Sequence, residues 1–334
     1  MSEELAKEWK PEAEAPIATE STWTEAFAKS ILTPSQASAL KMPKRELILG
    51  QWFCTGDLGF IYGPRGLGKT WLAMLFARAL SEGKPVGPWL TAKPCCVMYV
   101  DGEMAYDANF ERAHQLMPMD SENFHLLHHE AVFHHTGKAL NLTSMEAQSA
   151  LTAECVKRDV KVLFIDNLSC LFTLKENDSD DWGERVQPWL LDLRRRGIAV
   201  VFVAHAGRNG LMRGTSKRED SAFWSIKLTP SAETEARKGA TFIASFDKNR
   251  NTIDEDAPSL LWRFTPQSDG SVIPTHQSCA QLDVFISLVD DGLTKCSDIA
   301  EEMGVTKGFI SKLAKRAVAA GRINVKGREY ASKQ

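Results

Sequence analysis

Residues 57–80 read DLGFIYGPRGLGKTWLAMLFARAL, and this stretch decides how the rest of the chain is read. Leu58 to Tyr62 is an unbroken apolar run of strand length, which predicts a buried strand. A loop follows with Gly63, Pro64, Arg65, Gly66, Leu67 and Gly68, leading to Lys69, Thr70 and Trp71. From there Trp71, Leu72, Leu75, Phe76, Ala79 and Leu80 recur at helical spacing. Strand, glycine loop and helix together make a phosphate cradle. Glycines let backbone N–H groups turn inward, and the helix N-terminus adds partial positive charge. In this pattern residues 63–71 bind a nucleotide, the Lys69 ammonium reaches its β- and γ-phosphates, and the Thr70 hydroxyl ligates Mg²⁺.

Composition narrows the class. With 334 residues, about two domains are expected. A hydrophobic content of 43% with 25% charged residues is that of an ordinary globular protein. The net charge of −3 excludes a chain that is basic all over, so any nucleic-acid site must be local. Seven cysteines without a CxxC spacing argue against a disulfide framework or a zinc module, and for a reducing compartment. The N-terminal MSEELAKEWK lacks the apolar core of a signal peptide, and the apolar run Ile198 to Ala204 is too short to span a bilayer. A cytoplasmic protein is expected.

Along the chain, residues 1–20 read as a flexible acidic tail, and 21–44 as a short helix, with Trp23, Phe27 and Ile31 on one face, plus a connector. Residues 45–265 alternate strands and helices. CCVMYVD, FHLLHH, KVLFID and IAVVFVAH are strands, separated by helices from about Tyr106, from a capping-box spacing at Thr143 and Glu146, and from Trp182 to Arg196. Pro188 should kink or divide the last of these, and Gly197 should stop it. AFWSIKL, ATFIASFD and LLWRF complete the sheet with short connections. Apolar runs that are continuous rather than alternating imply a mostly parallel sheet covered on both faces, an α/β fold. Residues 266–280 read as a linker to a second domain over 281–334.

Ligands of parallel sheets bind at the carboxyl ends of the strands. There Asp166 can hold the Mg²⁺ shell, and Glu103 can orient water, with Asp101 as its competitor. His205 can sense the γ-phosphate, or be a satisfied core histidine. The histidines at 125, 128, 129, 134 and 135 do not have metal spacing, since HExxH starting at His129 needs a histidine at 133, which is Phe.

GPRGLGKT, YVDGEM, LFIDNLS, FVAHAGRNG, RGTSKRED and FDKNR, in this order, resemble the RecA-like ATPase domain of DnaB-type and plasmid RepA-type hexameric helicases, in the variant common in mobile elements. The resemblance implies ATP and Mg²⁺ as ligands, Glu103 as catalytic glutamate, and Asp166 as Mg²⁺ aspartate. It also implies that Lys248 and Arg250 reach a neighbouring subunit's γ-phosphate, so that hydrolysis depends on a homo-oligomer. Asn251 departs from the pattern, which often has glycine there. In the resembling helicases the loop matching 206–220 grips single-stranded DNA in the pore, which here offers Arg208, Arg213, Lys217 and Arg218. Residues 281–334 resemble a winged helix-turn-helix. Lys307, Ser311, Lys312 and Lys315 lie on its expected recognition helix and Arg322, Lys326 and Arg328 on its wing, facing DNA or a protein partner. The expected function is a DNA-stimulated ATPase and ring helicase of a mobile element, against an ATP-switched regulator or helicase loader.

Overall fold

The computed structural model describes residues 20–40, 44–116, 121–173, 179–207, 212, 216–231, 239–252, 256–279, 281–319, 321–326 and 329–332. The expected acidic tail, apart from Glu20, lies outside them. In chain order the elements begin with α1 (Glu20–Ser30), α2 (Pro34–Ala39), β1 (Leu47–Leu49), β2 (Phe53–Cys54), β3 (Leu58–Gly63) and α3 (Lys69–Glu82). They continue through β4 (Cys96–Asp101), α4 (Tyr106–Leu116), β5 (Phe124–His128), α5 (His129–Thr136), α6 (Met145–Lys157), β6 (Val160–Asp166) and α7 (Leu168–Leu171). Then come α8 (Ser179–Arg185), α9 (Gln187–Arg195), β7 (Ala199–His205), α10 (Ser216–Ser221), β8 (Trp224–Pro230), β9 (Ala240–Asn249), β10 (Leu260–Pro266) and β11 (Val272–Ser278). Three helices, α11 (Gln281–Asp290), α12 (Cys296–Glu302) and α13 (Lys307–Ala319), and the hairpin β12 (Ile323–Lys326) and β13 (Glu329–Ser332) close the chain.

One nine-stranded sheet runs β11-β10-β9-β8-β3-β7-β6-β4-β5. The six strands from β8 to β5 are parallel, and β9, β10 and β11 extend the sheet antiparallel. The unbroken apolar runs are explained by burial on both faces. In β3, Ile61 joins the core under α3, whereas Phe60 and Tyr62 join the opposite core, under α6 and α9. Val162 and Phe164 of β6 face the first core, and Leu163 and Ile165 the second. Gly59 is where β3 meets Trp224: a Cβ there would lie 2.1 Å from the indole ring.

Several sequence expectations change. Residues 266–280 are not a linker stretch; after a turn at Gly270 they carry β11, paired in register with β10 from Leu260↔Ser278 to Pro266↔Val272. Pro188 does divide its helix, opening α9 as a first-turn proline after the break at Val186. Gly197 follows with φ +74, the left-handed conformation that ends such a helix. The capping box at Thr143 does not form: Ser144 holds the N-cap position of α6 without a side-chain capping bond, and the Thr143 hydroxyl accepts the Thr173 N–H instead, at 3.0 Å. Trp23, Phe27 and Ile31 of the first helical segment are exposed. All seven cysteines are free thiols. Among the described residues, no helix is long and apolar enough to cross a membrane. The C-terminal helices and hairpin enclose their own small core, with Phe285, Ile299, Ile310, Leu313 and Tyr330 buried.

Candidate nucleotide site

The carboxyl ends of β3, β4, β6 and β7 converge because these strands are parallel and in register. Asp101 pairs with Asp166 across β4 and β6, and Gly63 with His205 across β3 and β7. Gly63 opens the glycine loop and Gly68 ends it as the cap residue of α3, with φ +109. A side chain at Gly68 would put its Cβ 2.6 Å from the Phe242 ring, so the loop is pressed against β9. Lys69 is buried, and its Nζ donates to the Pro64 carbonyl at 2.7 Å, folding the ammonium back over the loop. Burial lowers its pKa, and Asp166 and Glu103 oppose that shift.

Asp166 is buried and accepts a hydrogen bond from the Tyr99 hydroxyl at 2.6 Å. Burial pushes its carboxyl up to about 6, against the pull of hydrogen bonds from Tyr99 and Thr70. Asp166, Thr70 and the cradle are an oxygen donor set suited to Mg²⁺ with a bound nucleotide, since Mg²⁺ takes one or two carboxylates, a hydroxyl and phosphate oxygens. Asp101 is fully buried beside it and accepts the backbone N–H groups of Glu103, at 3.2 Å, and Met104, at 2.9 Å. Asp101 thus holds the turn through Oδ1, and Glu103 is the half-exposed carboxylate of the pair.

Asn167 ties this corner together. Its Oδ1 accepts the Cys170 N–H at 3.1 Å and so caps α7, which leaves Nδ2 to donate to Glu103 Oε2 and to approach His205 Nε2 at 3.4 Å. His205 Nε2 also lies 3.9 Å from Glu103 Oε2. Tyr99 and Asn167 are site residues that single-sequence reasoning missed. Only the β4–β6 pairing puts Asn167 beside a glutamate 64 positions earlier.

Lys248 and Arg250 are not at this corner. The Arg250 N–H donates to Phe223 O, and the Phe223 N–H to Leu58 O, so Arg250 sits at the amino end of β3, opposite Gly63, while Lys248 pairs with Ser225 and lies level with Phe60. Lys248 Nζ donates to Glu219 O, and Arg250 to Asp220 O at 2.9 Å, so both hold the last carbonyls of α10. Asn251, the departure from the helicase pattern, is structural: its side chain donates to Trp52 O and Asp57 and accepts from Arg45.

The expected DNA-contacting residues divide. Arg208, Arg213 and Arg328, and the side chains of Lys217 and Lys326, lie outside the described residues. Arg218 is not on an open loop: it is buried in α10, with its guanidinium 5.0 Å over the Trp182 ring. Lys307, Ser311, Lys312 and Lys315 are all exposed along α13. Arg322 is drawn into an ion pair with Asp283 of α11 at 2.5 Å.

Of the five histidines, Asp101, His128 and His129 do form a group whose ligand atoms lie within 4.8 Å of one another. Yet His128 Nδ1 accepts the Glu130 N–H at 3.2 Å, so the ring proton sits on Nε2, which points at Met104 O at 2.9 Å. That nitrogen has no lone pair left for a cation.

Comparison with curated proteins finds no match to the chain. A family model described as an AAA domain matches residues 25–210, more than half of the chain, including the glycine loop, Glu103, Asp166 and His205. With a mostly parallel sheet carrying that loop at the carboxyl end of its central strand, the chain belongs to the AAA domain family and is a RecA-like P-loop NTPase.

Proposed function

We propose that the protein is an ATP-hydrolysing, DNA-stimulated ring motor, most specifically a replicative helicase of a plasmid, phage or other mobile element. Residues 63–71 hold the triphosphate, with Lys69 on the β- and γ-phosphates. Thr70 and Asp166 hold Mg²⁺, which when bound offsets the negative charge developing on the phosphate oxygens. Glu103 orients the water that attacks the γ-phosphorus, and ADP leaves with the bridging oxygen. Asn167 and His205, both within reach of Glu103, relate the state of that carboxylate to the segment after β7. The observation that carries the reading is the placement of Arg250 at the amino end of β3, a full strand away from its own glycine loop. An arginine so placed serves a phosphate only in another copy, as a composite site between subunits requires. The resemblance of 281–334 to a winged helix, with the exposed cations of α13, supports a second contact to DNA or a partner protein.

The test is steady-state ATP turnover with and without single-stranded DNA, together with unwinding of a forked duplex. A motor gives stimulated turnover and unwinding. Turnover without any unwinding favours an ATP-switched regulator or helicase loader, the reading supported by the exposed cations of α13.

A further inference from the structure

The turn from Gly102 to Ala105 joins β4 to α4 and carries Glu103, yet it has no regular structure of its own. It is pinned from two sides. Asp101 Oδ1 accepts the N–H groups of Glu103 and Met104, fixing the turn through its donors. On the other side the Met104 carbonyl meets two imidazoles, His128 Nε2 at 2.9 Å and His129 Nε2 at 3.2 Å. The rings lie 4.7 Å apart, and Tyr106 stands edge-on to His128 at 5.2 Å. His128 is buried at the junction of β5 and α5, where its Nδ1 caps the helix through the Glu130 N–H. The cap dictates the tautomer: Nδ1 accepts, Nε2 carries the proton, and Nε2–H must donate to Met104 O.

We propose that His128 and His129 are positioning residues for hydrolysis, holding Glu103 at its working height by clamping the Met104 carbonyl. The inference rests on the proposal that Glu103 orients the attacking water. A carboxylate on a short irregular turn is only as well placed as the backbone beneath it, and displacements of about 1 Å at a reacting group cost large factors in rate. The two imidazoles, from the far edge of the parallel sheet, supply the side of the clamp that Asp101 cannot.

The two nitrogens of His128 can be separated. In His128→Asn the amide oxygen replaces Nδ1 and keeps the cap, but only His129 still reaches the Met104 carbonyl. In His128→Gln the amide nitrogen replaces Nε2 and keeps the Met104 bond, but the cap is lost. The expected result is a kcat for ATP hydrolysis about tenfold lower in His128→Asn, the equivalent of one hydrogen bond worth about 1.4 kcal/mol, with KM for ATP and Tm near wild type. His128→Gln keeps kcat within about threefold while its Tm falls, because the cap and not the clamp is broken. Adding His129→Ala to His128→Asn lowers kcat further. A purely structural histidine gives the reverse order, with Gln the poorer enzyme and kcat following Tm, and that outcome overturns the proposal. So does stoichiometric zinc in the purified protein. Loss of turnover in Glu103→Gln with full turnover in His128→Asn removes this inference alone, whereas undiminished turnover in Glu103→Gln removes the hydrolytic reading and the inference with it.

Discussion

If Arg250 serves a neighbour's nucleotide, two inactive proteins should make an active one. Leu58 to Gly63 spans five residue steps of β3, about 17 Å at roughly 3.3 Å per step, and Arg250 is tied to the Leu58 end. An arginine side chain cannot cover that distance to its own cradle. A trans-acting arginine of this kind is worth about 10³–10⁵ in turnover, so Arg250→Ala alone should be nearly silent. Lys69→Ala should also be silent, for loss of the triphosphate contact. Each site in a mixed ring draws Lys69 from one protomer and Arg250 from the next. In an equal, random mixture about a quarter of interfaces pair an intact Lys69 with an intact Arg250. Coexpressed Lys69→Ala and Arg250→Ala protomers should therefore recover turnover of the order of a quarter of wild type, in phosphate-release assays on the mixed oligomer. Recovery that stays at the level of the separate variants, although the subunits coassemble, would refute the composite site. Full activity of Arg250→Ala by itself would do so more directly.

Other consequences can be measured independently. Gly59→Ala drives a Cβ to 2.1 Å from the Trp224 ring within a packed aromatic cluster, and should cost about 3 kcal/mol or more, read as a fall in the urea midpoint. Asp57 accepts hydrogen bonds from Arg45, Asn251 and the Cys54 N–H, but burial still pushes its carboxyl from 3.8 up to about 6. Its folded pKa thus exceeds its unfolded one, so the folded chain holds this proton where the unfolded chain has lost it, and stability falls as pH rises from about 4 to 6. Relative to Asp57→Asn, wild type should gain up to about 3 kcal/mol as pH drops from 7 to 4, and parallel urea-midpoint profiles for the two proteins would show the coupling absent. Lys312→Ala and Lys315→Ala should each lower the slope of log DNA affinity against log salt by about 1, whereas Arg218→Ala should lower Tm and leave that slope unchanged.

Much of the sheet can be read directly from the chain, because a strand buried on both faces must be apolar at every position. LGFIY, CVMYV, VLFI and AVVFVA stand out for this reason. The edge strand β11 does not: VIPTHQS is largely exposed, contains Pro274, and has neither a continuous nor an alternating apolar pattern, so it reads as a linker. The helix after His128 is equally hidden, since HEAVFHHT has no apolar stripe and lasts only two turns. At the site, residues within one motif are legible and bridges between motifs are not. Lys69, Thr70 and Asp166 follow from local pattern, whereas the Asn167–Glu103 contact and the His128–Met104 clamp arise from strand pairing over long separations. Arg218 misleads for a related reason, since a basic residue in a polar stretch looks solvated until Trp182 closes over it.

The order of strands has a bearing on synthesis. β3 lies between β7 and β8, so the strand that presents the glycine loop gains its two partners only from residues 199–205 and 224–230. A nascent chain that has emerged no further than β6 holds β3 with neither edge covered. One that stops near residue 210, where the AAA domain match ends, covers one edge and leaves the other bare. A fragment cut at that family boundary should therefore aggregate through β3, whereas one extended past β8 closes both edges around the loop.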